Sequence, residues 1–231
     1  MDGSFVTQAR TAAGSALATR LLAREDAAVL AILGTGAQAR AHARAVPRVR
    51  AFREVRVAGR DPARARALAD EAAADLPGLR VEAVPSFAEA LERADVVCAA
   101  THAEEPVVRR AWLAPGAHVN SVGLNPRGRE VDAETVADAL VVVESRASAL
   151  APAPTGANDL TWPIRDGVIG EDHVATELGE LVAGTRPGRT SPDQLTLYKS
   201  VGVAVQDAAA AALVLAAARE RGAGVEVALE G

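Results

Sequence analysis

Cysteine is almost missing from this sequence. Cys98 is the only one in 231 residues, so neither a disulfide framework nor a thiolate zinc site is available. Lysine is equally scarce: Lys199 stands alone and every other basic side chain apart from histidine is arginine. Chemistry that needs a lysine amine therefore has one candidate. Aromatic residues make up 3%, and Trp112 and Trp162 read as packing residues rather than a stacking platform. Basic charge is not in excess. Lys+Arg 25 against Asp+Glu 30 gives −5, without the basic footprint that nonspecific nucleic-acid binding needs. Long apolar runs are absent too. The run from Ala208 to Ala218 is closed by Asp207 and Arg219 and falls well short of the ~20 residues that span a bilayer. Met1-Asp2-Gly3 carries neither a basic start nor an apolar signal region, so a cytoplasmic location is the expectation.

Forty-nine per cent of the chain is hydrophobic, and its pattern alternates. Thr7 to Arg24 is Ala- and Leu-rich and predicts a helix. Ala28–Leu33, Val55–Ala58, Arg80–Val84, Asp95–Ala100, Ala117–Val122 and Leu140–Val143 read as six short buried strands. Helices are expected between the earlier ones. Asp61 caps one that opens with Pro62 and runs to about Leu76, and Ser86 with Glu89 forms a capping box for another. Short apolar strands alternating with helices predict βαβ units, hence an α/β fold with a Rossmann-type doubly wound parallel sheet. Beyond Glu144 the rhythm breaks. Ala147 to Leu160 reads as loop and Val174 to Ala183 as helix. Ser191-Pro192 reads as the start of a long helix reaching about Arg219 or Arg221, interrupted at Gly202.

Gly34-Thr35-Gly36-Ala37-Gln38-Ala39 follows the first strand and opens a helix, the setting a dinucleotide fingerprint requires. Gly34 permits a sharp turn, Gly36 permits close approach of a diphosphate, and Ala39 lets the helix pack on the strand. Free N–H groups at the helix start face the anion. NAD readers usually carry an acid at the end of the second strand, about 20 residues on. That position reads Gly59-Arg60, with Asp61 better used as a helix cap. Arg60 is either a reader of the NADP 2′-phosphate or a solvated surface residue. NADP is the expected cofactor, with NAD the alternative.

Motifs spread along the chain resemble the ornithine cyclodeaminase/mu-crystallin family. They are Asp2-Gly3, Arg10-Thr11-Ala12-Ala13 with Ser15, the GTGAQA at Gly34, Gly116 to Gly123 (GAHVNSVG), Arg129-Glu130, Glu177 to Leu181 (ELGEL), Pro187 to Thr190 (PGRT), Lys199 to Gly202 (KSVG) and Gln206-Asp207. The resemblance implies an NAD(P)-binding Rossmann domain with the substrate held between it and an N-terminal domain that builds a homodimer. It further implies that a preceding region, which normally supplies a catalytic lysine and a substrate-binding arginine, lies before the matched part. The expected organisation is residues 1–22 as a remnant of the substrate/dimerisation domain, 23–200 as the Rossmann domain, and 201–231 as a helix returning toward the substrate domain.

Family cyclodeaminases carry an aspartate just after the Val-Gly of the fifth strand. Asn125 best occupies that position here, and a neutral amide cannot act as a carboxylate base. The resemblance therefore implies reduction of a C=N bond in a cyclic imine, ketimine or small imino acid by hydride transfer. The alternatives are ornithine cyclodeamination or a truncated noncatalytic NADP-binding protein. Arg10 aligns with an arginine that grips the substrate carboxylate. Cofactor contacts are expected from Gly34, Thr35, Gly36, Ala37, Gln38, Arg60, Thr101, Val122, Gly123, Ser200 and Gly202. Asn125 either bonds substrate or shapes its turn, His102 reads as a loop residue, and Lys199 makes a cofactor or structural contact. His42, His118 and His173 lack metal-ligand spacing, so no metal is expected.

Overall fold

The computed structural model describes residues 3–225, which leaves Asp2 of the first motif and the end of the 201–231 unit outside the described residues. Helix α1 (Gly3–Leu22) precedes β1 (Val29–Leu33), α2 (Ala37–Ala45), β2 (Glu54–Ala58), α3 (Pro62–Asp75), β3 (Arg80–Ala83), α4 (Phe87–Leu91), β4 (Val96–Ala99) and β5 (His118–Ser121). Then follow α5 (Ala133–Asp138), β6 (Leu140–Val143), α6 (Arg146–Ala149), α7 (Asn158–Arg165), β7 (Thr176–Glu177), α8 (Leu178–Val182), β8 (Thr196–Lys199) and α9 (Ala204–Glu220). All eight strands pair in parallel in the order β3-β2-β1-β4-β5-β8-β6-β7. Each strand is buried on both faces where the sheet is central, which is why β1 and β4 read as unbroken apolar runs.

The local signals of the first half act as expected. The Asp61 carboxylate accepts from the N–H groups of Ala63 and Arg64. The Ser86 Oγ accepts from the Glu89 N–H and donates to its carboxylate, so the second contact of that cap is between side chains. The second half departs from expectation at three places. Helix α6 and the start of α7 occupy the segment expected to be loop. The Val174 to Ala183 helix is shorter: a strand, β7, precedes it, and Glu177 and Glu180 form its capping box. Most of all, no helix begins at Ser191-Pro192. That dipeptide lies in a turn, and Thr196–Lys199 is strand β8, inserted between β5 and β6. The Arg189 guanidinium locks this turn by donating to the carbonyls of Leu22, Gly116 and Gln194. The local helix-start signal loses to two neighbouring strands that need a partner for their backbone groups.

Helix α1 lies on the sheet, with Ala18 and Leu22 against Val142, Leu178 and Tyr198. Two buried histidines fasten it. His42 Nδ1 lies 2.7 Å from the Gln38 carbonyl, which can only accept, so Nδ1 carries the proton and Nε2 accepts from Ser15 Oγ at 2.8 Å. His118 donates from Nε2 to Asn120 Oδ1 and accepts from Thr196 Oγ1, while Asn120 donates to Thr19 Oγ1. Burial lowers the His42 pKa from 6.5 to about 4 and that of His118 from 6.5 to about 3. The same burial pushes the Cys98 thiol up to about 12, leaving it a packing residue.

Both histidines are neutral when folded, whereas the unfolded chain takes up their protons below about pH 6.5. Stability is therefore undiminished above pH 6.5, falls as pH drops toward about 4 through His42, and falls further toward about 3 through His118. Urea denaturation between pH 8 and pH 4 should show a plateau and then a decline. A midpoint independent of pH across that range would contradict the assignment.

Helix α9 contrasts with α1. None of its residues is buried, although Val205, Leu213, Val214 and Leu215 are all apolar and exposed. Among the described residues, no helix is long and apolar enough to cross a membrane.

Candidate dinucleotide site

The order β3-β2-β1-β4 reverses direction between β1 and β4, and the crevice beyond the carboxyl ends of those strands is where such sheets bind ligands. A cleft of about 680 Å³ opens there. Gly34, Thr35, Gly36, Ala37 and Gln38 line it, as do Arg60, Thr101 and His102. Gly34 has φ +111°, and a Cβ on it would stand 2.4 Å from the Ala100 carbonyl. Protein packing alone thus requires glycine at that position.

Gly36 is different. It is the N-cap of α2 with extended backbone, φ −87° and ψ −171°, and a Cβ there would meet nothing within 4 Å. No protein atom explains the missing side chain. A ligand passing over the helix start does, because the backbone amides then contact an anion directly. These residues fit a dinucleotide diphosphate.

At one end of the cleft, Arg60 and Arg64 bring two guanidiniums to the end of β2. Neither side chain has a hydrogen bond or ion pair among the described residues. The acid nearby, Asp61, already caps α3. Arg64 is absent from the residues that the motifs single out. Its place in the first turn of α3, close after Arg60, is the signal that could have found it, since Pro62 marks that helix start.

At the other end, Thr101 leaves β4 and Gly123 leaves β5. Both are held by Glu130, whose motif marks its presence without revealing a role. Its Oε1 accepts from Thr101 N at 2.5 Å and Thr101 Oγ1 at 2.7 Å, and its Oε2 accepts from Ser121 Oγ and Gly123 N, both at 2.8 Å. A Cβ on Gly123 would stand 2.3 Å from the Glu130 carboxyl carbon. Val122 continues the strand by donating to Ala99 O.

Lys199 does not open a helix; it ends β8 and is fully buried. Its Nζ donates to Ser121 Oγ and Gly123 O and pairs with Asp159 Oδ2 at 2.8 Å. Of the two roles open to it, the structural one is what these contacts describe. Asn125 is likewise committed to its turn. Its Nδ2 donates to the carbonyls of His102 and Ala103, and its Oδ1 accepts from Arg127 N. His102 lines the cleft as a loop residue.

Ser200 follows β8 and donates from its backbone N–H to Ser121 O, beside the end of β5. Ser200 Oγ donates to Glu144, which also accepts from Val201 N and Gly202 N. Gly202 has φ +81°, and the Arg10 guanidinium packs onto it, 2.8 Å from where a Cβ would be. Arg10 itself reaches Asp207 Oδ1 through Nε and Gln206 Oε1 through Nη1, both at 3.2 Å. Ser200, Gly202, Arg10, Gln206 and Asp207 thus form a second cluster beyond β8, beside β5. The phenol of Tyr198 lies on this side, and burial raises its pKa above the ordinary tyrosine value, with the nearby Glu144 charge adding to the effect. Among the described residues, no group of three or more His, Cys, Asp or Glu could hold a metal ion.

A parallel sheet with a glycine-cradled cleft at its switch point defines a dinucleotide-binding α/β protein. The profile of the ornithine cyclodeaminase/mu-crystallin family matches residues 1–222, and the chain belongs to that family. It is 37% identical over 229 residues to Delta(1)-pyrroline-2-carboxylate reductase of Bacillus cereus, covering 98% of this chain and 69% of that one. To ketimine reductase mu-crystallin of Mus musculus it is 37% identical over 215 residues, covering 93% and 63%. The structure of Thermococcus litoralis Delta(1)-pyrroline-2-carboxylate reductase in complex with NADH and L-proline superposes with a TM-score of 0.93 at 40% identity, covering 98% of this chain and 69% of that one. The chain therefore spans about two thirds of the length of these relatives.

Proposed function

We propose that this chain carries the cofactor-binding part of an NAD(P)-dependent reductase that acts on a cyclic imine or small imino acid. The observation that carries this reading is the unfilled space over Gly36 at the start of α2, matched in fold and sequence to a reductase solved with NADH. When bound, the cofactor supplies hydride to the substrate C=N carbon. The residues of this chain bind and orient. The amides at Gly36 to Gln38 face the diphosphate, Arg60 and Arg64 face the adenosine ribose, and Thr101, Val122 and Gly123 frame the opposite end. Asn125, spent on its turn, supplies no carboxylate base, which favours imine reduction over ornithine cyclodeamination. In this reading Arg10 holds the substrate carboxylate. Two of its nitrogens are fixed by Gln206 and Asp207 and Nη2 is left to donate, so the guanidinium is oriented before substrate arrives. In this reading residues 1–22 are the remnant of a substrate domain, 23–200 the Rossmann domain and 201–231 a segment returning toward the substrate domain, with the exposed apolar α9 turned to a partner copy in a homodimer.

The test has two parts. NADPH oxidation, followed by absorbance with a panel of cyclic imino acids, should detect turnover by the protein that carries this chain, and an inert panel would remove the reductase reading. Arg60→Ala should weaken NADPH by roughly tenfold or more and NADH by far less, the scale of one lost charge-assisted bond to phosphate. Equal weakening of both would overturn the 2′-phosphate assignment.

A further inference from the structure

The Glu130 carboxylate has only donors around it. Two are backbone N–H groups, from Thr101 and Gly123. The other two are hydroxyls: Ser121 Oγ, which also accepts from Lys199 Nζ, and Thr101 Oγ1, which also accepts from Ala103 N. Glu130 thus accepts four hydrogen bonds from groups fixed at the two strand ends. Behind it, Asp159 Oδ1 accepts from Glu130 N and Val131 N while Oδ2 pairs with Lys199. The three buried ionic groups are two carboxylates and one ammonium, leaving one negative charge in excess. That charge sits directly under the ends of β4 and β5, at the end of the cleft away from Arg60.

We propose that Glu130 is a positioning residue that also acts electrostatically. Its uncompensated carboxylate biases the bound nicotinamide toward the oxidised, cationic ring and so strengthens the reduced cofactor as a hydride donor. This rests on the dinucleotide reading above. The physical basis is that the oxidised ring carries a positive charge that the reduced ring lacks. A fixed anion in a water-poor setting therefore favours one redox form over the other. The four donors also tie the two strand ends together, and the charge effect is separable from that tie.

The experiment measures dissociation constants of NADP+ and NADPH for the purified full chain by calorimetry. Glu130→Gln should weaken NADP+ relative to NADPH by roughly tenfold, the scale of a unit charge acting across several ångströms of protein. Glu130→Asp keeps the charge on a shorter arm, so it should weaken both forms while leaving their ratio near that of the parent. Should Glu130→Gln fail to fold, Asp159→Asn removes one charge from the same cluster and should move the ratio in the same direction. Equal weakening of both forms in the charge-removing variant would overturn the proposal and leave Glu130 a structural tie. Failure of the parent chain to bind either form would overturn the dinucleotide reading itself, and this inference with it.

Discussion

Gly36→Val should weaken nucleotide binding by up to about a hundredfold while leaving the fold intact. The backbone at Gly36 is extended, with φ −87°, a conformation open to valine. The added side chain meets no protein atom within 4 Å at its Cβ, so the loss of unfolding free energy should be about 1 kcal/mol, the scale of a poorer N-cap on α2. The ligand would meet the new methyl groups instead. Forced overlap in a packed contact costs up to ~3 kcal/mol, about a hundredfold in Kd. Gly34→Val is the control with the opposite signature. Its φ of +111° and the Ala100 carbonyl 2.4 Å from the new Cβ should destabilise the fold itself. Fluorescence titration with NADPH, alongside thermal denaturation, separates the two. Tight binding by a folded Gly36→Val protein would mean that the space over that glycine is not where the diphosphate lies.

Lys199→Met should be among the most destabilising substitutions in the chain. The ammonium is fully buried and fills three acceptors: Asp159 Oδ2, Ser121 Oγ and Gly123 O. Methionine matches the length of the stem but supplies no donor, so Asp159 becomes a buried charge without its counterion. Breaking a buried pair from one side costs about 3–5 kcal/mol. Equilibrium urea denaturation reads this directly, and a loss under about 1 kcal/mol would show that the cluster is wetter than its burial indicates. Lys199 therefore braces the ends of β5 and β8 instead of acting as an amine.

The contrast between these two glycines and this lysine shows what can be read from the residues alone. The first five strands and the fingerprint turn are encoded locally: apolar runs mark buried strands, and Asp61, Ser86 and the glycines mark the turns. Gly34 and Gly36 are legible because each has a reason that spacing expresses. The second half depends on long-range pairing. Thr196 to Lys199 follows Ser191-Pro192, a helix-start signal, yet becomes β8 because β5 and β6 lie on either side of it. No neighbouring residue of Lys199 announces that. The same strand insertion sets Ser200 beside Ser121 at the end of β5 and Gly202 against Arg10, placements that no local pattern announces. Glu130 is visible as part of a motif, but its four donors come from residues 101, 121 and 123. Its role is a property of strand order, which no local pattern contains.

Backbone amide chemical shifts during titration with NADP(H) report on the diphosphate cradle amide by amide. The amides of Gly36, Ala37 and Gln38 should move most, with Thr101 and Gly123 following. Those of Thr190, Ser191 and Asp193, beyond the amino ends of β5 and β8 and so at the opposite end of the strands, should stay still. Saturating nucleotide that leaves the start of α2 unmoved, or that shifts residues only outside this cleft, would contradict the account.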